Sequence, residues 1–187
     1  MSTPLERLTT FLRSQPAMPV GPAVSAGDPA LAEARAIAAR DPRLGELVST
    51  LIDGNTSFCL FDLELFAALL GRGRRGEPWN QDGAVIAADE LCLAKNGAGD
   101  LYVWSARTGQ VRFLVHDDDW ATRTRHASLD DFVVAAMDDC LERLTGDDLD
   151  APDPEYLAML RFALEVGDSE AISDDDVVER LQELGLR

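Results

Sequence analysis

Over the first fifty residues apolar positions recur at three- and four-residue spacing, which predicts helices. Leu5, Leu8 and Leu12 share one face of a first helix; Thr3 stands at its cap, Pro4 in its first turn, and Glu6 where a capping box needs an acid. Gln15 to Gly27 holds three prolines and two glycines among small residues and reads as a linker. Asp28-Pro29 opens a second helix that runs to the neighbourhood of Arg40, and Asp41-Pro42 opens a third. In the third, Leu44, Leu47, Val48, Leu51 and Ile52 form a helical stripe that ends at Gly54-Asn55.

The middle of the chain changes period. Phe58 to Leu63 is a short apolar run, expected as a strand feeding a helix from Asp62 to Leu70, although periodicity alone does not separate the two forms there. After the glycine- and arginine-rich loop Gly71 to Gly76 come strand-like runs: Ala84 to Ala88 with Glu90 to Lys95, then Leu101 to Ala106, then Gln110 to His116. Asn96-Gly97-Ala98-Gly99 and Arg107-Thr108-Gly109 separate them, and glycine reaches positive φ without a Cβ clash, so both are hairpin turns. The expectation is an antiparallel meander.

The last third returns to helix. Ser128 caps a run in which Leu129, Phe132, Val133, Ala136, Met137, Cys140, Leu141 and Leu144 repeat at three and four. An acidic break, Thr145 to Pro152, precedes a helix from Asp153-Pro154 carrying Leu157, Leu160 and Leu164. Ser173 to Asp176 caps a final helix carrying Val177, Val178, Leu181 and Leu184. Helices, antiparallel strands, then helices make the class α+β, a meander sheet flanked by helices with extra helices at both ends. The expected division is 1–40 for N-terminal helices and linker, 41–146 for the α+β domain, and 147–187 for an acidic helical extension packed on it.

Composition narrows the function. The 187 residues are 46% hydrophobic, enough for a sizeable core. No apolar run approaches the roughly 18 residues that cross a bilayer, and Pro4, Glu6 and Arg7 interrupt the start where a secretion signal needs an apolar stretch. Cys59, Cys92 and Cys140 each sit among apolar neighbours and read as buried thiols, which points to a reducing, cytoplasmic setting. Thirty-four acids against 17 bases give a net charge of −17. Residues 1–116 hold 13 acids and 11 bases, whereas residues 117–187 hold 21 and 6. Such a surface repels nucleic acid and anionic membrane and attracts a basic partner.

Candidate chemistry is sparse. His116 and His126 have no triad spacing, Ser57 and Ser128 lack a nucleophile-elbow context, and each cysteine lies in an apolar stripe where thiols are inert. His116-Asp117-Asp118-Asp119 offers hard ligands, but adjacent residues at a strand end point alternately, so a solvated acidic turn is expected and no metal. The glycines of Asn96 to Asp100 lack a following helix or a Lys-Ser/Thr pair, which removes a phosphate loop. Gly71 to Gly76 is a lone basic island in an acidic chain, a poor basis for nucleic-acid binding. Trp104 belongs in the core; Trp79 and Trp120 are either core or interface anchors. No catalytic residue and no cofactor is expected.

One ordered set of features carries a resemblance. Val85-Ile86-Ala87 and Leu91-Cys92-Leu93-Ala94 are followed by Gly97-Ala98-Gly99-Asp100 with Leu101-Tyr102-Val103-Trp104 directly after. Gly109-Gln110-Val111, His116-Asp117 and the helix start Ser128-Leu129-Asp130-Asp131-Phe132 complete the series, and Leu44 to Asn55 is similar to an opening helix that ends in Asn-Gly. This order resembles the SUKH superfamily, which includes yeast cell-wall regulators of the Smi/Knr type and many bacterial immunity proteins. Residues 1–40 and 150–187 lie outside its pattern.

The resemblance implies an α+β domain that binds a protein and catalyses nothing. Bacterial members commonly look like immunity proteins that neutralise cognate toxins in the producer's own cytoplasm, and many such toxins are nucleases or deaminases with basic clefts. The charge of the chain leads to the same expectation independently: an acidic face imitates phosphate and occludes such a cleft. That face is expected on Asp117, Asp118 and Asp119 with Asp130 and Asp131, extending to Asp138, Asp139 and Asp147 to Asp150, with Trp120 beside it. The alternatives are a regulatory or scaffold protein of the same fold and a small-ligand-binding domain or enzyme. The C-terminal helices suit either packing on the domain or self-association as a homodimer.

Overall fold

Four helices begin with a capping side chain followed by proline, and each cap makes the hydrogen bonds its sequence promises. The computed structural model describes residues 2–17, 24–25, 27–145, 153–167 and 175–186. At the start of α1 (Pro4–Ser14), Thr3 Oγ1 accepts from the Glu6 N–H at 3.4 Å while Glu6 Oε2 accepts from the Thr3 N–H at 2.9 Å. Asp28, Asp41 and Asp153 cap α2 (Pro29–Ala38), α3 (Pro42–Asp53) and α6 (Pro154–Val166) with their side chains alone, accepting from first-turn N–H groups. Proline at the first helical position costs nothing there, because its missing N–H has no partner in the helix. The linker's 18–23 and 26, the 146–152 part of the acidic break, and Ser173 and Asp174 of the last expected cap lie outside the described residues.

A six-stranded antiparallel sheet runs in chain order: β1 (Ser57–Leu60), β2 (Leu63–Phe66), β3 (Glu90–Lys95), β4 (Leu101–Ser105), β5 (Val111–Val115) and β6 (Ala121–His126). The class is α+β. The two glycine turns occur where their sequence puts them, with Gly99 at φ +96 and Gly109 at φ +74. Three local expectations are corrected. Asp62 to Leu70 is not one helix: Leu63–Phe66 pairs with β1 as a strand, and only Ala67–Leu70 (α4) coils. Ladder bonds to β1 and the pairing of Glu64 with Lys95 of β3 override the local ambiguity.

Ala84 to Ala88 is not a strand either. The buried Asn80 side chain holds it instead, accepting from the Val85 and Ile86 N–H groups and donating to the carbonyls of Gly73 and Ile86. These bonds occupy backbone groups that a ladder would have used. Finally, Ala121–His126 forms a strand, β6, where the apolar pattern predicts none. Ala-Thr-Arg-Thr-Arg-His carries little apolar signal because it is an edge strand, with Arg123, Thr124 and Arg125 exposed and no residue fully buried.

The sheet has an apolar cluster on each face. Alternation sends Leu91, Trp104 and Val111 to the larger one, which also takes Leu5, Leu8 and Leu12 of α1, Leu44 and Leu51 of α3, Phe132 and Met137 of α5 (Leu129–Glu142), Leu160 of α6, and Leu181 of α7 (Asp175–Glu183). Helices before and after the sheet therefore share one core with it. The smaller cluster gathers Phe66, Leu69, Ile86, Cys92, Leu101, Val103 and Leu114. Loop 71–88 covers that face, fixed by Asn80 and by Arg74, whose guanidinium donates to the carbonyls of Ala87, Ala88 and Glu90. The basic island of the sequence is thus partly consumed as an internal fastening.

Candidate functional site

The connection from β5 to β6 places two non-glycine residues with positive φ side by side. His116–Asp118 makes one turn of 3-10 helix, after which Asp119 (φ 47) and Trp120 (φ 60) both adopt the left-handed conformation. Aspartate tolerates that region, but a bulky aromatic residue there is an outlier that surrounding contacts must hold. The contact is visible. The Trp120 ring lies against Trp79, centroids 4.7 Å apart and tilted 30°, and 6.1 Å from the His116 ring. Trp79 comes from the 3-10 segment Pro78–Gly83 that Asn80 anchors, and the Arg72 guanidinium sits 5.5 Å over its centre. Both indoles are half-buried, resting on the smaller cluster.

Below them lies a polar hub. Asp100, buried at the start of β4, accepts from the His116 N–H at 2.9 Å, faces His116 Nδ1 at 2.7 Å, and accepts from Asn96 Nδ2 at 3.0 Å. Burial pushes the Asp100 carboxyl upward, but those hydrogen bonds outweigh it and hold the group below its ordinary value. His116 Nε2 faces Asp117 at 2.9 Å, so the imidazole bridges a buried and an exposed carboxylate. Asp118 pairs with Arg123 of β6 at 2.6 Å, and Asp119 is exposed at the tip. The Gly99-Asp100 turn and the His116-Asp117 turn are therefore adjacent in space, tied by Asp100 and His116.

The remaining acids expected in the face are placed elsewhere. Asp130, half-buried at the first turn of α5, accepts from the Leu5 N–H at 3.0 Å and from Arg43 Nη1 at 2.7 Å, joining three helices. Burial raises its carboxyl, and the Leu5 and Arg43 bonds more than reverse this, leaving it below the ordinary range. Asp131 is exposed beside it. Asp138 lies about two turns further along α5, against the end of α6, where a Cβ on Gly167 would meet its carboxylate oxygen at 2.5 Å. Asp139 pairs with Arg143, which also reaches Asp62 at 2.8 Å. Asp147 to Asp150 fall outside the described residues. The structure thus joins Asp117, Asp118, Asp119 and Trp120 in one turn, and gives Asp130 an internal task.

Sequence reasoning left Trp79 open and missed Arg123 and Arg72. Trp79 is an isolated aromatic in a loop of glycine, arginine and proline, which was the available signal. Arg123 sits on the strand that went unrecognised.

Reactive groups are muted. Burial pushes the Cys92 and Cys140 thiols up to about 12 and raises Cys59, so thiolate is disfavoured at all three. Burial pushes His126 down, where its ring packs against Phe132 at 5.6 Å. Among the described residues no group of three or more His, Cys, Asp or Glu side chains is arranged to hold a metal ion, and no helix is long and apolar enough to cross a membrane. No protein-family model, curated protein or solved structure matches the chain.

Proposed function

We propose that the chain is a non-catalytic protein-binding domain that neutralises a basic, nucleic-acid-targeting toxin domain in the cytoplasm of the cell that makes both. The observation that carries this is the strained Trp120, held beside Trp79 with Asp117, Asp118 and Asp119 preceding it in the same turn. A rigid aromatic pair rimmed by charge has the composition of an interface hot spot, in which a buried ring supplies affinity and the rim excludes water. The carboxylates supply the second requirement. Negative potential from the exposed acids of the turn speeds encounter with a basic cleft and selects against acidic partners. A net charge of −17 extends the same field over the whole molecule. The likeness to SUKH immunity proteins supports the choice of a toxin over a housekeeping partner.

The test is to mix the protein with a basic toxin domain encoded beside it and measure both binding and residual toxin activity. A salt-sensitive complex that abolishes activity supports the proposal. A complex that leaves the enzyme active favours a scaffold of the same fold, and absence of a complex at low salt removes the proposal.

A further inference from the structure

Beside the smaller cluster an open cleft of about 730 Å³ separates the start of α2 from α4 and the loop after it. Its volume falls within the range of small-molecule sites, roughly 300–1,000 Å³. Phe66, Ala68, Leu69 and Pro29 provide apolar walls.

The charge around the cleft is largely committed. Arg75 donates from Nε and Nη2 to Asp28 Oδ2 at 3.2 and 2.9 Å, and from Nη1 to the Ala68 carbonyl at 2.9 Å. The hydrogen bond from Arg75, more than any other cause, holds the Asp28 carboxyl below its ordinary value. Lys95 bonds Glu64 at 2.7 Å. Gly71 is what lets this clamp close: an added Cβ would lie 2.5 Å from Arg75 Nη2 and 2.9 Å from the Ala30 Cβ. The wall is therefore built into the sequence.

Arg72 is different. It lines the cleft and stacks on Trp79, but among the described residues no carboxylate lies within 4.0 Å of its guanidinium. Glu77 lines the same cleft and likewise has no ion-pair partner within 4.0 Å among the described residues, which disfavours a ligand with two negative charges.

We propose that this cleft binds a small amphipathic monoanion, an apolar body bearing one carboxylate or sulfonate that meets Arg72. Apolar walls hold the body, and a guanidinium with no internal carboxylate holds the head through charge-assisted hydrogen bonds. The site adjoins the aromatic pair, because Arg72 also lies over Trp79, but the proposal rests on the cleft itself and not on protein binding at the Trp120 turn.

The test titrates the full chain with 8-anilinonaphthalene-1-sulfonate and follows its fluorescence, then competes it with decanoate, decanol or decyltrimethylammonium. One saturable site is expected, displaced by decanoate and not by the cation at equal concentration. Arg72→Gln should weaken decanoate roughly tenfold and leave decanol unchanged, while Ala68→Trp should fill the cleft and abolish binding. Equal displacement by the cation, absence of saturable binding, or an unaffected Ala68→Trp overturns the site. If Ala68→Trp does not fold, amide shifts of the native chain with decanoate decide: changes centred on Leu69 and Arg72 support the site, and changes centred elsewhere reject it.

Discussion

The indole rings of Trp79 and Trp120, 4.7 Å apart, join a loop that follows α4 to the turn between β5 and β6. Their contact holds Trp120 at φ 60, a conformation that costs an L-residue about 1–2 kcal/mol. Trp120→Ala should therefore keep the backbone strain and lose the ring contact, reducing stability by about 1–3 kcal/mol for a half-buried aromatic. Trp120→Gly should be the more stable of the two by about 1 kcal/mol, since glycine adopts positive φ freely. Urea unfolding of both variants checks the order, and Ala above Gly contradicts the geometry.

Asp119, at φ 47 and exposed, permits the same logic without loss of packing. Asp119→Gly should leave stability within about 0.5 kcal/mol, because aspartate already tolerates this region, read from the denaturation midpoint at constant slope. A larger drop would mean that the carboxylate makes an unrecognised stabilising contact.

Asn80 satisfies backbone groups at Gly73, Val85 and Ile86 from a buried position. Asn80→Ala leaves these unpaired and should cost about 2–4 kcal/mol. Because Asn80 anchors the segment carrying Trp79, the near-ultraviolet circular dichroism of the indole pair should weaken as well. Unchanged dichroism in a folded variant would separate the anchor from the ring contact.

Asp100 and Asp130 both have carboxyls held below their ordinary value in the folded protein. The unfolded chain consequently binds protons first as pH falls, and the stability these groups supply is present above the ordinary value near 3.8 and lost as pH drops through the folded values. Urea midpoints between pH 5 and pH 2.5 (roughly the window set by depressed carboxyls) should decline, and Asp130→Asn should flatten that decline. At pH 7 the same variant should lose about 1–2 kcal/mol, because the Arg43 and Leu5 bonds are weakened in a half-exposed setting. A steeper pH dependence in Asp130→Asn would reverse the assignment.

The three free thiols report on burial. With Cys92 and Cys140 pushed up to about 12, a disulfide reagent at pH 8 should label them only at the rate of unfolding, with Cys59 faster than either. Denaturant should release all three at once. Rapid labelling of Cys92 in the native state would show that loop 71–88 opens readily.

Local chemistry made much of the architecture legible. Thr3-Pro4, Asp28-Pro29, Asp41-Pro42 and Asp153-Pro154 each announce a helix that forms, because a cap and its proline act within one turn. Gly99 and Gly109 fix their hairpins equally locally. What escaped depends on partners distant in sequence. β6 exists through pairing with β5 and not through its own apolar pattern, and Ala84 to Ala88 is held by one asparagine side chain. The same division applies to the site. The acid run before Trp120 is obvious in sequence; its meeting with Trp79 is not, nor is the diversion of Asp130 into Arg43.

The most direct test of the central claim is the affinity for a neighbouring basic toxin domain, measured by calorimetry at two salt concentrations for the native protein and for Trp120→Ala. The account predicts tight binding that weakens with added salt, and a loss of about 2 kcal/mol or more, roughly thirtyfold, in the variant. Binding that ignores both salt and Trp120 would contradict it.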